Sequence, residues 1–362
     1  MDVDLATLGW DASWADVFRP HEGAGLEPAR VAIEYNHIYR LVSARGELKA
    51  EHAGRLRHQA QGRHELAAVG DWVAVRVPAV PHAHATIEAI LPRRSKFSRK
   101  VAGALTEEQV VAANIDVVFL VMGLDRDYNP RRLERYLLLA RDSGARPVVI
   151  LSKADLRADL DAVLDEIRAL APGVPVHATS ATARLGLEAI VSALPAGRTG
   201  ALLGSSGAGK STLINAIAGR DLQQTREVRA KDSRGRHTTR HRQLISLPHG
   251  GLIIDTPGMR ELQLWDVGGA VQDAFDDIDG LAIHCHFTDC RHAGEPRCAV
   301  KAAVDAGELA PERHQSYLKL HEELEALEAR KDVRARIDSR RQGRTMAKAL
   351  KELYRVRDHE RR

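Results

Sequence analysis

Gly204-Ser205-Ser206-Gly207-Ala208-Gly209-Lys210-Ser211, followed by Thr212, fits the phosphate-loop pattern G-x-x-x-x-G-K-[ST] in full. It lies between an apolar run, Ala201-Leu202-Leu203, that reads as a strand and a helical stretch from Ser211 to Ala218. Glycines in such a loop let backbone N–H groups turn inward onto phosphate oxygens. Lys210 is placed to reach the β- and γ-phosphates, and Ser211 to bind Mg²⁺. Ser152-Lys153-Ala154-Asp155 reads as a guanine-recognition element, and it precedes the phosphate loop instead of following it. Ser180-Ala181 comes next, then the phosphate loop, then Asp255-Thr256-Pro257-Gly258. The parts of a GTP site are all present in circularly permuted order.

The neighbouring sequence supports a doubly wound parallel sheet. Ile115 to Val121 is continuously apolar, as a parallel strand buried on both faces should be. Arg131 to Ser143 has helical spacing, Pro147 to Leu151 is a second buried strand, and Val174-Pro175-Val176 leads to a third. Leu187 to Leu194 is helical, and Leu252-Ile253-Ile254 is another strand, ending at Asp255. Strand and helix alternate throughout.

The chemistry follows from residue types. Asp155 can accept from guanine N1–H and from the 2-amino group, whereas adenine offers neither donor and would leave the carboxylate unpaired. Lys153 packs its stem against the base. Ser152 stands where asparagine is usual; its hydroxyl reaches less far, which predicts weaker nucleotide binding with guanine preference kept. Asp255 is expected to hold Mg²⁺, and the Gly258 N–H to sense the γ-phosphate. Gly235-Arg236-His237-Thr238-Thr239-Arg240 sits where a first switch belongs, with Thr238 and Thr239 both candidates to complete the Mg²⁺ shell. Met259, not a glutamine, follows the Asp255–Gly258 motif. An apolar side chain cannot orient the attacking water, so another group must, with His237 the nearest polar candidate, and intrinsic hydrolysis is expected to be slow.

Cys285-x4-Cys290-x-His292-x5-Cys298 uses all three cysteines of the chain. Three thiolates and an imidazole in so short a stretch fit one closed, tetrahedral, structural Zn²⁺ site. His284 and His286 are rival ligands. Before the sheet, residues 31–92 are short β-prone segments broken by Gly46, Gly54, Gly62 and Gly70, which suggest a small barrel such as an OB-fold, or else a small sandwich. Gly70 to Val77 alternates like a half-buried strand, and Pro92 to Gly103 reads as a basic linker. His314 to Ala329 carries a helical apolar stripe, and Thr345 to Val356 a second, basic helix. The expected organisation is an N-terminal extension (1–30), an OB-fold RNA-binding domain (31–98), a permuted GTPase domain (106–269) and a zinc-binding, basic helical domain (270–362).

The 362 residues carry a net charge of +4, unevenly spread. Residues 330–362 hold 13 Lys/Arg against 5 Asp/Glu, leaving 40 against 44 in the rest. An acidic body with a basic tail suggests a polyanion partner such as RNA. The acidic N-terminus lacks an apolar signal core, and no apolar run could span a bilayer, which together predict a cytoplasmic chain without membrane association. Nothing suggests more than a monomer.

These motifs together resemble the ribosome small-subunit-dependent GTPase A family. Supporting stretches are Gly70-Asp71-Trp72-Val73, Arg93-Arg94-Ser95, Gly235 to Thr239, the Cys285–Cys298 pattern and Ala347-Lys348-Ala349-Leu350. Ser152 and Arg240 depart from the family pattern. The resemblance implies an N-terminal OB-fold, a permuted GTPase domain and a C-terminal zinc domain. It further implies a late maturation factor that binds the small ribosomal subunit and its rRNA, hydrolyses GTP to GDP there and leaves. A nucleotide-gated rRNA-binding scaffold with vestigial hydrolysis is the alternative; a permuted GTPase of the large subunit is a third reading, disfavoured by the barrel and zinc motif.

Overall fold

The structure, a computed structural model, describes residues 3–35, 37–80, 83–100, 108–219, 242–255 and 275–322, together with 325, 326 and 329. The chain divides into two compact units, the second beginning at Phe275.

The first unit starts with a 3-10 turn, Leu5–Leu8, and helix α1, Ala12–Glu22, whose N-cap Asp11 accepts from the Trp14 N–H. Five strands follow: β1 (Glu27–Tyr35), β2 (Ile38–Ser43), β3 (Gly46–His52), β4 (Trp72–Arg76) and β5 (Ala85–Ile90), with helix α2 (Gly54–Gln59) after β3. They close in the order β1-β2-β3-β5-β4-β1, every pairing antiparallel except β3 with β5. This is an OB-type barrel, not a sandwich; β4 pairs with β1 only over residues 27–30, so the later part of that β1 edge is open within the barrel. Its core is Ala29, Val31, Tyr39, Leu41, Val73, Val75 and Ile87.

Two segments differ from their sequence reading. Alternation in Gly70 to Val77 predicts a half-buried strand, yet Trp72, Val73, Ala74 and Val75 are all buried. The reason is α1: Trp14 and Phe18 cover the outer face of β4, clustering with Trp72, Ala74 and Leu91. The basic linker contains a strand, β6 (Lys96–Lys100), paired antiparallel with β7 (Glu108–Ala113). Phe97 is buried there, while Lys96 and Ser98 both donate to Glu108. A charged surface around one anchoring aromatic masks the strand in the sequence.

The second half of this unit is β8 (Val117–Gly123), α3 (Pro130–Ser143), β9 (Arg146–Ser152), α4 (Leu160–Leu170), β10 (Val176–Thr179), α5 (Leu187–Ala193), β11 (Thr199–Leu203), α6 (Lys210–Ala218), β12 (Gln243–Ser246) and β13 (Leu252–Asp255). The sheet runs β10-β9-β8-β11-β13-β12, parallel except for the hairpin partner β12. β8 is buried along its whole length, as its apolar sequence requires. Ile33 of β1 pairs with Gln243 of β12, so barrel and parallel sheet form one continuous surface of strands.

The second unit holds α7 (Asp276–Ala282), α8 (Ala299–Asp305) and a helical stretch over residues 311–322. Ile278, Val300, Ala303, Leu309 and Leu320 are buried, Phe275 meets Tyr317 edge-on, and Arg313 makes a two-pronged ion pair with Asp277. The expected stripe over His314–Ala329 is helical where it is described; the basic helix Thr345–Val356 lies outside the described residues. No helix among the described residues is long and apolar enough to cross a membrane.

His52, at the end of β3, is buried against Tyr39 and accepts the Ala67 N–H at Nε2. Burial, reinforced by nearby Arg57 and His37, pulls its pKa down to about 4. The neutral ring is therefore the folded form, and the stability it confers is complete above the unfolded-state value near 6.5. That stability should fall by about 2–3 kcal/mol as pH drops from 6.5 towards 4. Denaturant titrations at stepped pH should show this loss, and His52→Gln should remove more than half of the slope.

Candidate functional site

Every described part of the expected GTP site lies at or just after the carboxyl end of a parallel strand. Ser152 closes β9, Ser180 follows β10, the phosphate loop follows β11, and Asp255 closes β13. That edge of an open α/β sheet is where ligands bind, because loops diverge there and helix N-termini point inward.

The phosphate loop runs from Leu203 to the first turn of α6. Gly207 and Gly209 both have φ of 89°, a left-handed conformation that a side chain would strain. Gly204 is required for another reason: a Cβ there would lie 2.3 Å from the Val121 carbonyl oxygen of β8. Lys210 Nζ curls over the loop and donates to the carbonyls of Gly204 (2.7 Å) and Ser205 (2.6 Å). Ser211 and Thr212 lie in the first turn of α6, half-buried; Ser206 and Gly207 are exposed and Ala208 is buried.

The element after β9 reaches back to this loop. Ser152 is buried, and its Oγ donates to the Ala208 carbonyl at 2.5 Å. Lys153 adopts φ of 61°, uncommon for a residue with a side chain and costing about 1 kcal/mol. The turn aims its Nζ at the Gly207 carbonyl (2.6 Å) and at Asp125 Oδ2 (2.5 Å). Asp155 lies exposed in the following 3-10 turn, Ala154–Leu156. Ser180 Oγ meets Thr182 Oγ1 at 3.0 Å and accepts the Ala183 N–H, shaping the loop that carries Ala181. Asp255 is half-buried at its strand end. His237, Thr238, Thr239, Arg240, Gly258 and Met259 lie outside the described residues.

Motif reasoning misses Asp125 and Asp127, in the loop between β8 and α3. Burial raises the Asp125 carboxyl, but the Lys153 hydrogen bond and charge outweigh it and hold the pKa below the ordinary carboxylate value. Asp127 accepts from Ser205 Oγ of the phosphate loop. Their position at the carboxyl end of a fully apolar strand is the one signal in the sequence that could have pointed to them.

In the second unit, ligand atoms of Cys285, Cys290, His292 and Cys298 all lie within 4.8 Å of one another. Cys285 Sγ is 3.9 Å from Cys298 Sγ, and His292 Nδ1 is 3.5 and 3.4 Å from these two sulfurs. An ion with metal–sulfur bonds of ~2.3 Å and a metal–nitrogen bond of ~2.0 Å would set tetrahedral edges of about 3.8 Å and about 3.5 Å. The group can therefore hold a metal ion without rearrangement. The rival ligands His284 and His286 are not part of this cluster; the His286 ring packs edge-on against Phe287.

Because Val121 is fixed within a buried strand, Gly204→Ala cannot be absorbed by a small shift. It should destabilise the chain by about 1–3 kcal/mol and weaken guanine-nucleotide binding at least tenfold, as read by thermal unfolding and by fluorescence titration with a labelled nucleotide.

Comparison with known proteins agrees with this geometry. Residues 90–265 match the RsgA GTPase family. The chain is 49% identical over 329 residues to a small ribosomal subunit biogenesis GTPase RsgA of Opitutus terrae, covering 89% of this chain and 90% of that protein. It is 42% identical to the protein of the same name from Syntrophotalea carbinolica, covering 95% and 96%. Among solved structures, YjeQ from Thermotoga maritima superposes with a TM-score of 0.59 at 26% identity, over 83% of this chain and 99% of that one. YloQ, described as a circularly permuted GTPase, shares the fold at a TM-score of 0.54 and 24% identity, over 85% and 96%. On its site, its permuted order and these relatives, the chain belongs to the RsgA GTPase family.

Proposed function

We propose that this protein is a GTPase that binds the small ribosomal subunit and its rRNA, assists late maturation there, and hydrolyses GTP to GDP and phosphate in response to the subunit. The observation that carries the reading is the convergence of the guanine element and the phosphate loop, tied by Ser152 and Lys153 to the carbonyls of Ala208 and Gly207. In this reading Asp155 pairs with the guanine edge, and Ser180 and Ala181 flank it. The backbone of Gly204 to Thr212 cradles the phosphates. Lys210 exchanges the carbonyls of Gly204 and Ser205 for phosphate oxygens, and Ser211 and Asp255 hold Mg²⁺. Bound Mg²⁺ would neutralise charge on the phosphates. Gly258, Thr238 or Thr239 and His237 are assigned to γ-phosphate sensing, the metal shell and water placement on sequence alone. The chain acts as a monomer in the cytoplasm.

A closed Cys₃His set fits one structural Zn²⁺ per chain, held by Cys285, Cys290, His292 and Cys298. The Cys290 thiol is pushed up to about 11, by burial first and then by the neighbouring Cys298 and Cys285 thiols. Thiols so crowded ionise together only with a cation among them.

The test is GTP hydrolysis measured alone and with purified small or large subunits. Stimulation of at least tenfold by small subunits only, abolished by Lys210→Ala, is the expected result. Equal rates with and without subunits, with a Lys210→Ala chain still active in subunit maturation, would favour a scaffold whose hydrolysis is vestigial. Chelation should release one zinc per chain by elemental analysis while leaving the affinity for labelled GDP within twofold; concerted loss of both would contradict a structural role confined to the second unit.

A further inference from the structure

The loop joining β8 to α3 contributes two carboxylates to the rim of the phosphate loop, and the motif reading gives neither a task. Asp127 is the more enclosed, its side chain 16% exposed. Both of its oxygens are engaged. Oδ2 accepts from Ser205 Oγ (2.5 Å) and from the Gly123 N–H (3.4 Å), and Oδ1 accepts from Arg132 Nη1 (2.8 Å). Arg132 also donates through Nη2 to the Asp127 carbonyl (2.6 Å), so the acid is gripped at side chain and backbone by the first turn of α3. One step along, the Asp127 N–H donates to Asp125 Oδ1 (3.1 Å), while Asp125 Oδ2 receives Lys153, which also holds the Gly207 carbonyl. Ser205 and Gly207, on either side of exposed Ser206, are thus both tethered to one short acidic loop.

We propose that Asp127 is a positioning residue for the phosphate loop. It fixes Ser205 and so sets the path of residues 204–207 before nucleotide arrives. This inference rests on the GTP-binding reading above. Three of the six residues 204–209 are glycine, so the free loop has many accessible conformations, and ordering it on binding would cost affinity. A tether that orders the loop beforehand removes that cost from the binding step. The arrangement also compensates its own charge. Arg132 neutralises Asp127 and Lys153 neutralises Asp125, so incoming phosphates do not meet bare carboxylates. Because the tether acts on loop order and not on the reacting atoms, its loss belongs in Kd and KM and not in kcat.

The experiment is a titration of the full chain with fluorescently labelled GDP and GTP, alongside steady-state hydrolysis and thermal unfolding. Asp127→Ala should raise Kd for both nucleotides and KM for GTP about tenfold, with kcat within twofold. Asp127→Asn, which keeps a carbonyl acceptor for Ser205, should recover most of the loss. Ser205→Ala deletes the same bond from the other side and should match Asp127→Ala; the double variant should bind no worse than either single one. Should Asp127→Ala not fold, Ser205→Ala and Asp127→Asn carry the test unaided. Affinities within twofold of wild type for Ser205→Ala, a fall in kcat with KM unchanged, or a double variant whose loss is the product of the single losses would each overturn the proposal. A wild-type chain that binds neither nucleotide would instead overturn the GTP-binding reading itself.

Discussion

The first unit depends on one buried cation. Arg30, on β1, is almost wholly removed from solvent, and its guanidinium donates to the carbonyls of Leu8, Gly70 and Asn114 and to Thr199 Oγ1. Those acceptors belong to the N-terminal turn, the entry to β4, the link between β7 and β8, and the first residue of β11. Burial lowers its pKa to about 10, so the group stays charged at neutral pH, with Asp116 and Asp71 the nearby negative charges. A charge buried at this depth is tolerated only when its donors are satisfied, so the four segments must meet in one geometry. Glycine makes the meeting possible: at Gly70, where φ is 94°, a Cβ would stand 2.1 Å from the Ala113 carbonyl oxygen. Asn114, itself left-handed at φ 55°, donates to the Gly70 carbonyl and accepts the Arg94 N–H. Barrel and parallel sheet are consequently joined at the amino end of β11, whose carboxyl end launches the phosphate loop.

That joint also explains why permutation leaves the site intact. A parallel sheet presents its loops at one edge whatever order the chain visits the strands in, provided that strand neighbours and directions are kept. Here β8, β9 and β10 are laid down first, and β11 is then inserted between β8 and β13. The cost of permutation is that the sheet begins with strands lacking their central partner. The barrel adjoins the other end of that sheet, where β1 pairs with β12 and Leu252 of β13 clusters with Trp72 and Trp14.

What the sequence revealed divides along physical lines. The parallel strands were legible because burial on both faces demands unbroken apolar runs, and Val117 to Met122, buried throughout, is such a run. The phosphate loop and the Cys₃His group were legible because phosphate and metal chemistry admit few residue types at few spacings. Features set by non-local packing were not. β6 hides among Lys and Arg, with Phe97 its one anchor. Buried β4 looks half-exposed until α1 is laid over it. Arg93, in a stretch that reads as a basic linker, forms a two-pronged bond with wholly buried Asp71 and donates to the carbonyls of His64 and Leu66. Asp127 belongs to the same class, since only the fold brings it to Ser205.

Ser152 shows how far residue-type reasoning carries and where geometry takes over. A hydroxyl is shorter than a carboxamide, yet Ser152 Oγ spans to the Ala208 carbonyl, because the phosphate-loop backbone runs close to the end of β9: a Cβ on Gly209 would lie 3.4 Å from that oxygen. The tie to the phosphate loop is therefore complete with serine. Thr179, directly opposite Ser152 in the β9–β10 register, is fully buried, and its Oγ1 has no hydrogen-bond partner among the described residues. Ser152 Oγ also lies 3.4 Å from the Met122 carbonyl of β8, so the one hydroxyl sits between β8 and the phosphate loop. The bond that serine keeps at this position is the one that ties the end of β9 to the phosphate loop.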